Sequence, residues 1–156
     1  MNKKTKKEVK KGVITTSEEV LHKIVHPIRV EFHIKDVLQV ILGASILAIP
    51  VGYTEETWHL GEILPLPNVI GFLLLSILFI SAFTYYHYYQ TTISKHWSEF
   101  VKRVILTYLS AFIIVAILLT LIQRSPWTTD LLLAFKRTVI VTFPASMSGA
   151  IADVIK

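Results

Sequence analysis

The segment "VILTYLSAFIIVAILLTLIQ", residues 104–123, decides the fold class. Its 20 residues carry no charge. At about 1.5 Å of rise per residue, a helix of that length reaches about 30 Å, the depth of a bilayer's hydrocarbon core. Backbone in lipid must satisfy its own hydrogen bonds, so such a run reads as a transmembrane helix. Three further apolar windows surround it. Residues 66–89, "LPNVIGFLLLSILFISAFTYYHYY", are of ample length. Residues 37–53, "VLQVILGASILAIPVGY", fall slightly short of the roughly 20 that cross a bilayer, which lets the helix run on through Glu55 and Glu56. Residues 130–156, "DLLLAFKRTVIVTFPASMSGAIADVIK", carry Lys136 and Arg137 one to two turns in. Either residues 131–137 form an interfacial helix before a span beginning at Thr138, or the two bases snorkel. The expectation is an all-α, polytopic membrane protein whose four transmembrane helices occupy residues 36–156.

Composition agrees, because 53% hydrophobic residues in a chain of 156 is too apolar for a soluble protein of this size. The absence of cysteine excludes disulfides and thiolate chemistry. The net charge of +5 comes largely from Lys3, Lys4, Lys6, Lys7, Lys10 and Lys11. Residues 1–16 therefore read as a disordered basic tail suited to an anionic lipid surface rather than to nucleic acid. A polar stretch separates these lysines from the first apolar window, so no cleavable signal is expected. Residues 17–35 read as a short amphipathic interfacial helix and a lead-in. Val20, Leu21, Ile24, Val25 and Ile28 recur at helical spacing, with a start signal at Thr16 and Glu19 and a stop near Pro27. His22 and His26 stand four apart on that helix, but no third ligand accompanies them, so neither a metal nor another cofactor is expected.

Counting bases near the span ends gives the orientation. One side receives the lysine tail, Lys95, Lys102 and Arg103, whereas the loop from Thr54 to Leu66 on the other has none; Arg124, Lys136 and Arg137 oppose the assignment. Both termini are expected on the cytoplasmic side of the cell membrane. Aromatic residues favour the headgroup level, which places Tyr85, Tyr88 and Trp97 in the inner belt and Trp58 and Trp127 in the outer one.

Close helix association in lipid relies on small side chains that let backbones approach. The first span offers Gly43, Ala44, Ala48 and Gly52, and the fourth offers Ala145 and Gly149; each span also holds a proline, Pro50 and Pro144. The second and third spans, bulky almost throughout, are expected to face lipid. The pattern suggests a homo-oligomer held through the first and fourth spans, with the prolines either as packing kinks or as breaks that free carbonyls along a polar path.

The segment "YTEETWHLGE", residues 53–62, packs three glutamates behind the first span with no base to neutralise them. Glu55 and Glu56 read as a solvated helix end or, in a symmetric assembly, as an acidic ring that gathers cations, with Thr54 adding a neutral oxygen. Asp153 on the fourth span reads as a water-exposed helix end or as the inner mouth of the same path. The expected function is an oligomeric cation channel or transporter whose partners are the bilayer and inorganic cations. The alternative is a non-conducting scaffold or regulatory partner that recruits protein or anionic lipid. An enzyme is not expected, since phosphate-loop, G-x-S-x-G and H-E-x-x-H patterns are all missing from the sequence.

Over Gln39 to Trp58, "QVILGASILAIPVGYTEETW", the chain resembles a small prokaryotic family of integral membrane proteins of unknown function. There, a span rich in Gly, Ala and Pro runs into an acidic pair followed by tryptophan. The resemblance implies the four-span architecture and directs interest to Glu55, Glu56 and Trp58, and it implies no mechanism.

Overall fold

The computed structural model describes residues 34–89 and 97–155. The expected basic tail and amphipathic helix, with His22 and His26, lie outside the described residues. Five α-helices follow in order: α1 (Ile34–Gly52), α2 (Glu55–Ile63), α3 (Leu66–Thr84), α4 (Trp97–Leu121) and α5 (Leu131–Val154). A π-helical turn, Tyr85–Tyr89, continues α3. Four of these helices, α1, α3 with its extension, α4 and α5, are long and apolar enough to cross a membrane. Among the described residues there is no strand.

Local chemistry fixes the boundaries. Pro65 precedes α3 and Pro67 lies in its first turn, where a missing N–H costs nothing. Asp130 caps α5, its Oδ1 accepting from the Leu133 N–H at 2.9 Å. At the end of α4, Gln123 takes a left-handed conformation with φ 58°, the Arg124 N–H donates to the Leu119 carbonyl and the Gln123 N–H to that of Thr120. This is the bonding of a Schellman cap with glutamine where glycine is usual.

The fourth span, α5, is the hub of the bundle and touches every other helix. Half of its spanning window is buried, against 17% for α3. The second span thus lies mostly on the outside of the bundle. The third has two faces: Phe100, Arg103, Val104, Thr107, Ala111, Val115 and Leu119 turn inward, while Ile105, Leu109, Ile113 and Ile117 stay exposed on the outside. One apolar core joins Ala44 and Ala48 of α1, Ala111, Val115 and Leu119 of α4, and Val141 and Ala145 of α5. A second joins Ile80, Phe100, Val104 and Ala150. Phe72 and Phe79 of α3 pack on Phe143 of α5 with ring centroids 5.5 and 6.3 Å apart.

The small-residue faces meet inside one chain. A Cβ on Gly43 would collide with the Ala152 methyl and sit 2.8 Å from the Ser148 carbonyl oxygen. One on Gly149 would lie 3.0 Å from the Val40 carbonyl oxygen. The surface that the sequence suggested for a second copy is therefore occupied by the chain's own helices, and Gly43, Ala44, Ala48, Gly52, Ala145 and Gly149 are all buried. Both helices run through their prolines, with Pro50 exposed and Pro144 half-buried.

Candidate functional site

Sequence spacing puts charges on the faces that bury small residues. Asp36 lies four residues before Val40 and eight before Ala44, Arg103 four before Thr107 and eight before Ala111, and Asp153 four after Gly149. At 3.6 residues per turn each charge is carried into the bundle with its helix's packing face. Arg103, Asp36 and Asp153 converge at one end, exposed to 1%, 3% and 3% respectively. The Arg103 guanidinium donates to Asp153 Oδ2 from Nη2 at 2.6 Å and from Nε at 3.1 Å. Its Nη2 also lies 3.7 Å from Asp36 Oδ2. Tyr88 closes the cluster, its ring 3.8 Å from the guanidinium carbon and its hydroxyl donating to the Asp153 carbonyl at 3.1 Å. Asp153 Oδ1 is buried and has no hydrogen-bond partner. Among the described residues, four segments thus contribute one charged group or ring each to this buried site.

Asp153 is consequently not the water-exposed helix end that its position near the C-terminus suggested. Tyr88, expected in an aromatic belt, turns inward, because the π-turn lets the chain beyond Thr84 fold over Arg103. Tyr85 and Trp97 are exposed.

A second cluster forms at the other end of α5. Arg137 Nη2 donates to Glu62 Oε1 at 2.6 Å, Nη1 to the Arg124 carbonyl at 2.8 Å and Nε to the Trp58 carbonyl at 3.3 Å. Lys136 Nζ donates to the Glu62 carbonyl at 3.3 Å, near the C-terminus of α2, where a cation is favoured by the helix dipole. Arg124 stacks on Trp58 at 3.8 Å. Gly61 is required here, because a Cβ would strike the aliphatic stem of Arg137. The helix α5 is therefore continuous from Leu131, and α2 lies over its two bases; no interfacial helix ends before Thr138.

The acidic pair has a local explanation. The first span stops at Gly52 and does not run on, and Glu55 and Glu56 open α2, where the N-terminal helix dipole favours carboxylates. Both are exposed. Thr54 is the residue before that helix, its hydroxyl 2.7 Å from that of Thr57 and donating to the Val51 carbonyl at 2.8 Å. Trp58 reaches back from α2, its indole N–H donating to the Gly52 carbonyl at 2.8 Å, so a residue expected in a lipid-facing belt brackets the break between helices. Trp127 donates to Thr120 Oγ1 at 2.8 Å and holds the α4–α5 turn. Glu55 and Glu56 lie at the opposite end of the bundle from Asp153.

Between the clusters, α5 carries Thr138, Thr142 and Ser146, all buried, at four-residue steps. Their hydroxyls donate to carbonyls of their own helix at 2.7, 2.7 and 3.0 Å, which leaves oxygen lone pairs facing the packed interior. Pro144 has no N–H to give to the Ile140 carbonyl.

A family model described as "Putative integral membrane protein (DUF2391)" matches residues 2–155, nearly the whole chain. No curated protein matches the chain, and no solved structure does.

Proposed function

The chain belongs to this family of integral membrane proteins, and from that premise we propose that it moves cations across the membrane through its own four-helix bundle. Asp153 and Asp36 serve as the carboxylate site and Arg103 as their shared counter-charge. One observation carries the reading: Asp153 is 3% exposed on a spanning helix, yet its Oδ1 has no hydrogen-bond partner. A carboxylate oxygen sealed from water costs several kcal/mol of lost solvation, so such a group in a spanning helix points to a positively charged ligand. The hydroxyl line Thr138, Thr142 and Ser146 on the same helix, together with the Ile140 carbonyl freed by Pro144, supplies neutral oxygens along the rest of the path.

This reading needs no second copy and no enzyme chemistry. A homo-oligomer would have to use outward faces, such as Leu42, Ile46 and Ile49 of α1, since the small-residue faces are filled within the chain. The cell membrane and cytoplasmic termini remain the topology this proposal adopts, supported by the distribution of lysine and arginine along the sequence. The test is flux into liposomes of purified protein, comparing potassium, sodium, calcium, proton and chloride gradients. Asp153→Asn should lower cation flux by about tenfold or more, and Glu55→Gln with Glu56→Gln should leave it within about twofold. Flux abolished by the glutamate changes and untouched by Asp153→Asn would restore the acidic ring. Absence of cation flux under every gradient would leave the non-conducting scaffold.

A further inference from the structure

The number of ligands decides which cation Asp153 can take. A hard metal ion such as calcium or magnesium collects six or more oxygens, and among the described residues no group of three histidine, aspartate or glutamate side chains is placed to hold one. A guanidinium already occupies Asp153 Oδ2 at 2.6 Å, and a metal ion on Oδ1 would meet its positive charge across a single carboxylate. A proton needs one lone pair, and Oδ1 offers one.

We infer, resting on the transport reading above, that the ion bound at Asp153 is a proton, and that Arg103 passes between Asp153 and Asp36 as the proton arrives and leaves. The step balances. A hydronium donates its proton to Asp153 Oδ1 and remains as water; one O–H bond forms on the carboxylate and one breaks on the donor, with no redox change. Neutral Asp153 no longer attracts the guanidinium, whose Nη2 is already within 3.7 Å of Asp36 Oδ2, so a shift of about 1 Å turns a distant pair into a charge-assisted hydrogen bond. Deprotonation reverses both events. Among the described residues, the charged and titratable groups facing Asp153 are Asp36 from α1, Tyr88 from the turn beyond α3 and Arg103 from α4. Tyr88 follows either state, because its hydroxyl is within reach of both the Asp153 carbonyl and Oδ2 at 3.1 and 3.4 Å, while its ring stays against the guanidinium.

The experiment has two readouts on the full-length protein in lipid vesicles. Infrared difference spectra on acidification report protonated carboxyl groups directly, without any transport. A band from a carboxyl C=O shielded from water should appear in wild type and in Asp153→Glu, and be missing in Asp153→Asn. Proton uptake driven by a potassium gradient with valinomycin, read by a trapped pH dye, should fall about tenfold in Asp153→Asn and recover in part in Asp153→Glu. Thermal unfolding of each variant in the same lipid separates loss of fold from loss of the acid. If wild type shows no shielded-carboxyl band across the accessible pH range, the proton inference is wrong, even where sodium or potassium flux persists. If the band behaves as described but no ion of any kind moves, the proton site stands and the transport reading fails.

Discussion

Removing Asp153 tests the inner cluster as a structural element as well as a chemical one. Arg103 is 1% exposed and donates to Asp153 Oδ2 at 2.6 and 3.1 Å. Hydrogen bonds to charged groups contribute about 1.5–3 kcal/mol each, and stripping the partner from a buried ion generally costs about 3–5 kcal/mol. Asp36, 3.7 Å away, can take over part of the role, which argues for the low end. Asp153→Asn should therefore destabilise by about 2–3 kcal/mol. In a cycle with Arg103→Gln and the double variant, the two positions should show a coupling of about 2 kcal/mol, because each single change strands part of a charge that the double change removes. Equilibrium unfolding in mixed micelles with increasing sodium dodecyl sulfate, followed by helical circular dichroism, gives the four free energies. A coupling below about 0.5 kcal/mol would refute the pairing, since two charges in contact and sealed from water cannot be independent.

Four smaller changes probe the packing and the caps. Gly43→Ala should destabilise by about 1–3 kcal/mol, because its methyl meets the Ala152 methyl and the Ser148 carbonyl, while Gly71→Ala, with nothing within 4 Å, should stabilise by up to about 1 kcal/mol. Gln123→Gly should stabilise by about 0.5–1 kcal/mol by relieving the left-handed conformation at φ 58°, visible as a higher unfolding temperature. Trp58→Phe keeps the ring under Arg124 but loses the bond to the Gly52 carbonyl, and should cost about 1 kcal/mol together with faster hydrogen exchange at the α1–α2 break.

The four spans were legible because hydropathy depends on composition over a window, and lipid enforces it. The window 104–123 lies almost wholly within α4, and 66–89 coincides with α3 and its turn. The site was hidden by the same method. A hydropathy window ends where charges begin, so Arg103 and Asp36 read as flanking residues at the membrane surface, whereas α4 begins at Trp97 and α1 at Ile34 and both charges lie within helices. Periodicity held the missing signal: Arg103, Thr107, Ala111, Val115 and Leu119 are spaced by four, and one charge on a small-residue face belongs with that face. The acid pair misled for a different reason. Glu55 and Glu56 are conspicuous in sequence, but a break at Tyr53 and Thr54 resets the helix, and their partner is the new helix's dipole. The Glu62–Arg137 bridge joins residues 75 apart in the chain, and no local pattern announces it.

The placement of the two clusters constrains how an ion could pass. Arg137 and Asp153 are 16 residues apart on one continuous helix, about 24 Å along its axis, a separation somewhat less than the thickness of about 30 Å of a hydrocarbon core. Between them the path meets hydroxyls, one freed carbonyl and the contact where Gly43 lies against Ala152 and Gly149 lies against Val40. That contact is too tight for an ion, and the hydroxyls are too few to replace a hydration shell. An open pore would need the small-residue faces to part permanently, which would expose the core of Ala44, Ala48, Val141 and Ala145 and leave α5 without its main partner. Passage through this bundle therefore requires α1 and α5 to separate at one end at a time. Ion pairs tie α5 to its other neighbours at each end: Glu62 of α2 on Arg137 at one, and Arg103 of α4 on Asp153 at the other. Neutralising Asp153 loosens the second pair without touching the first. On the transport reading, a carrier that exchanges one closed end for the other agrees with this packing, and a continuously open channel does not.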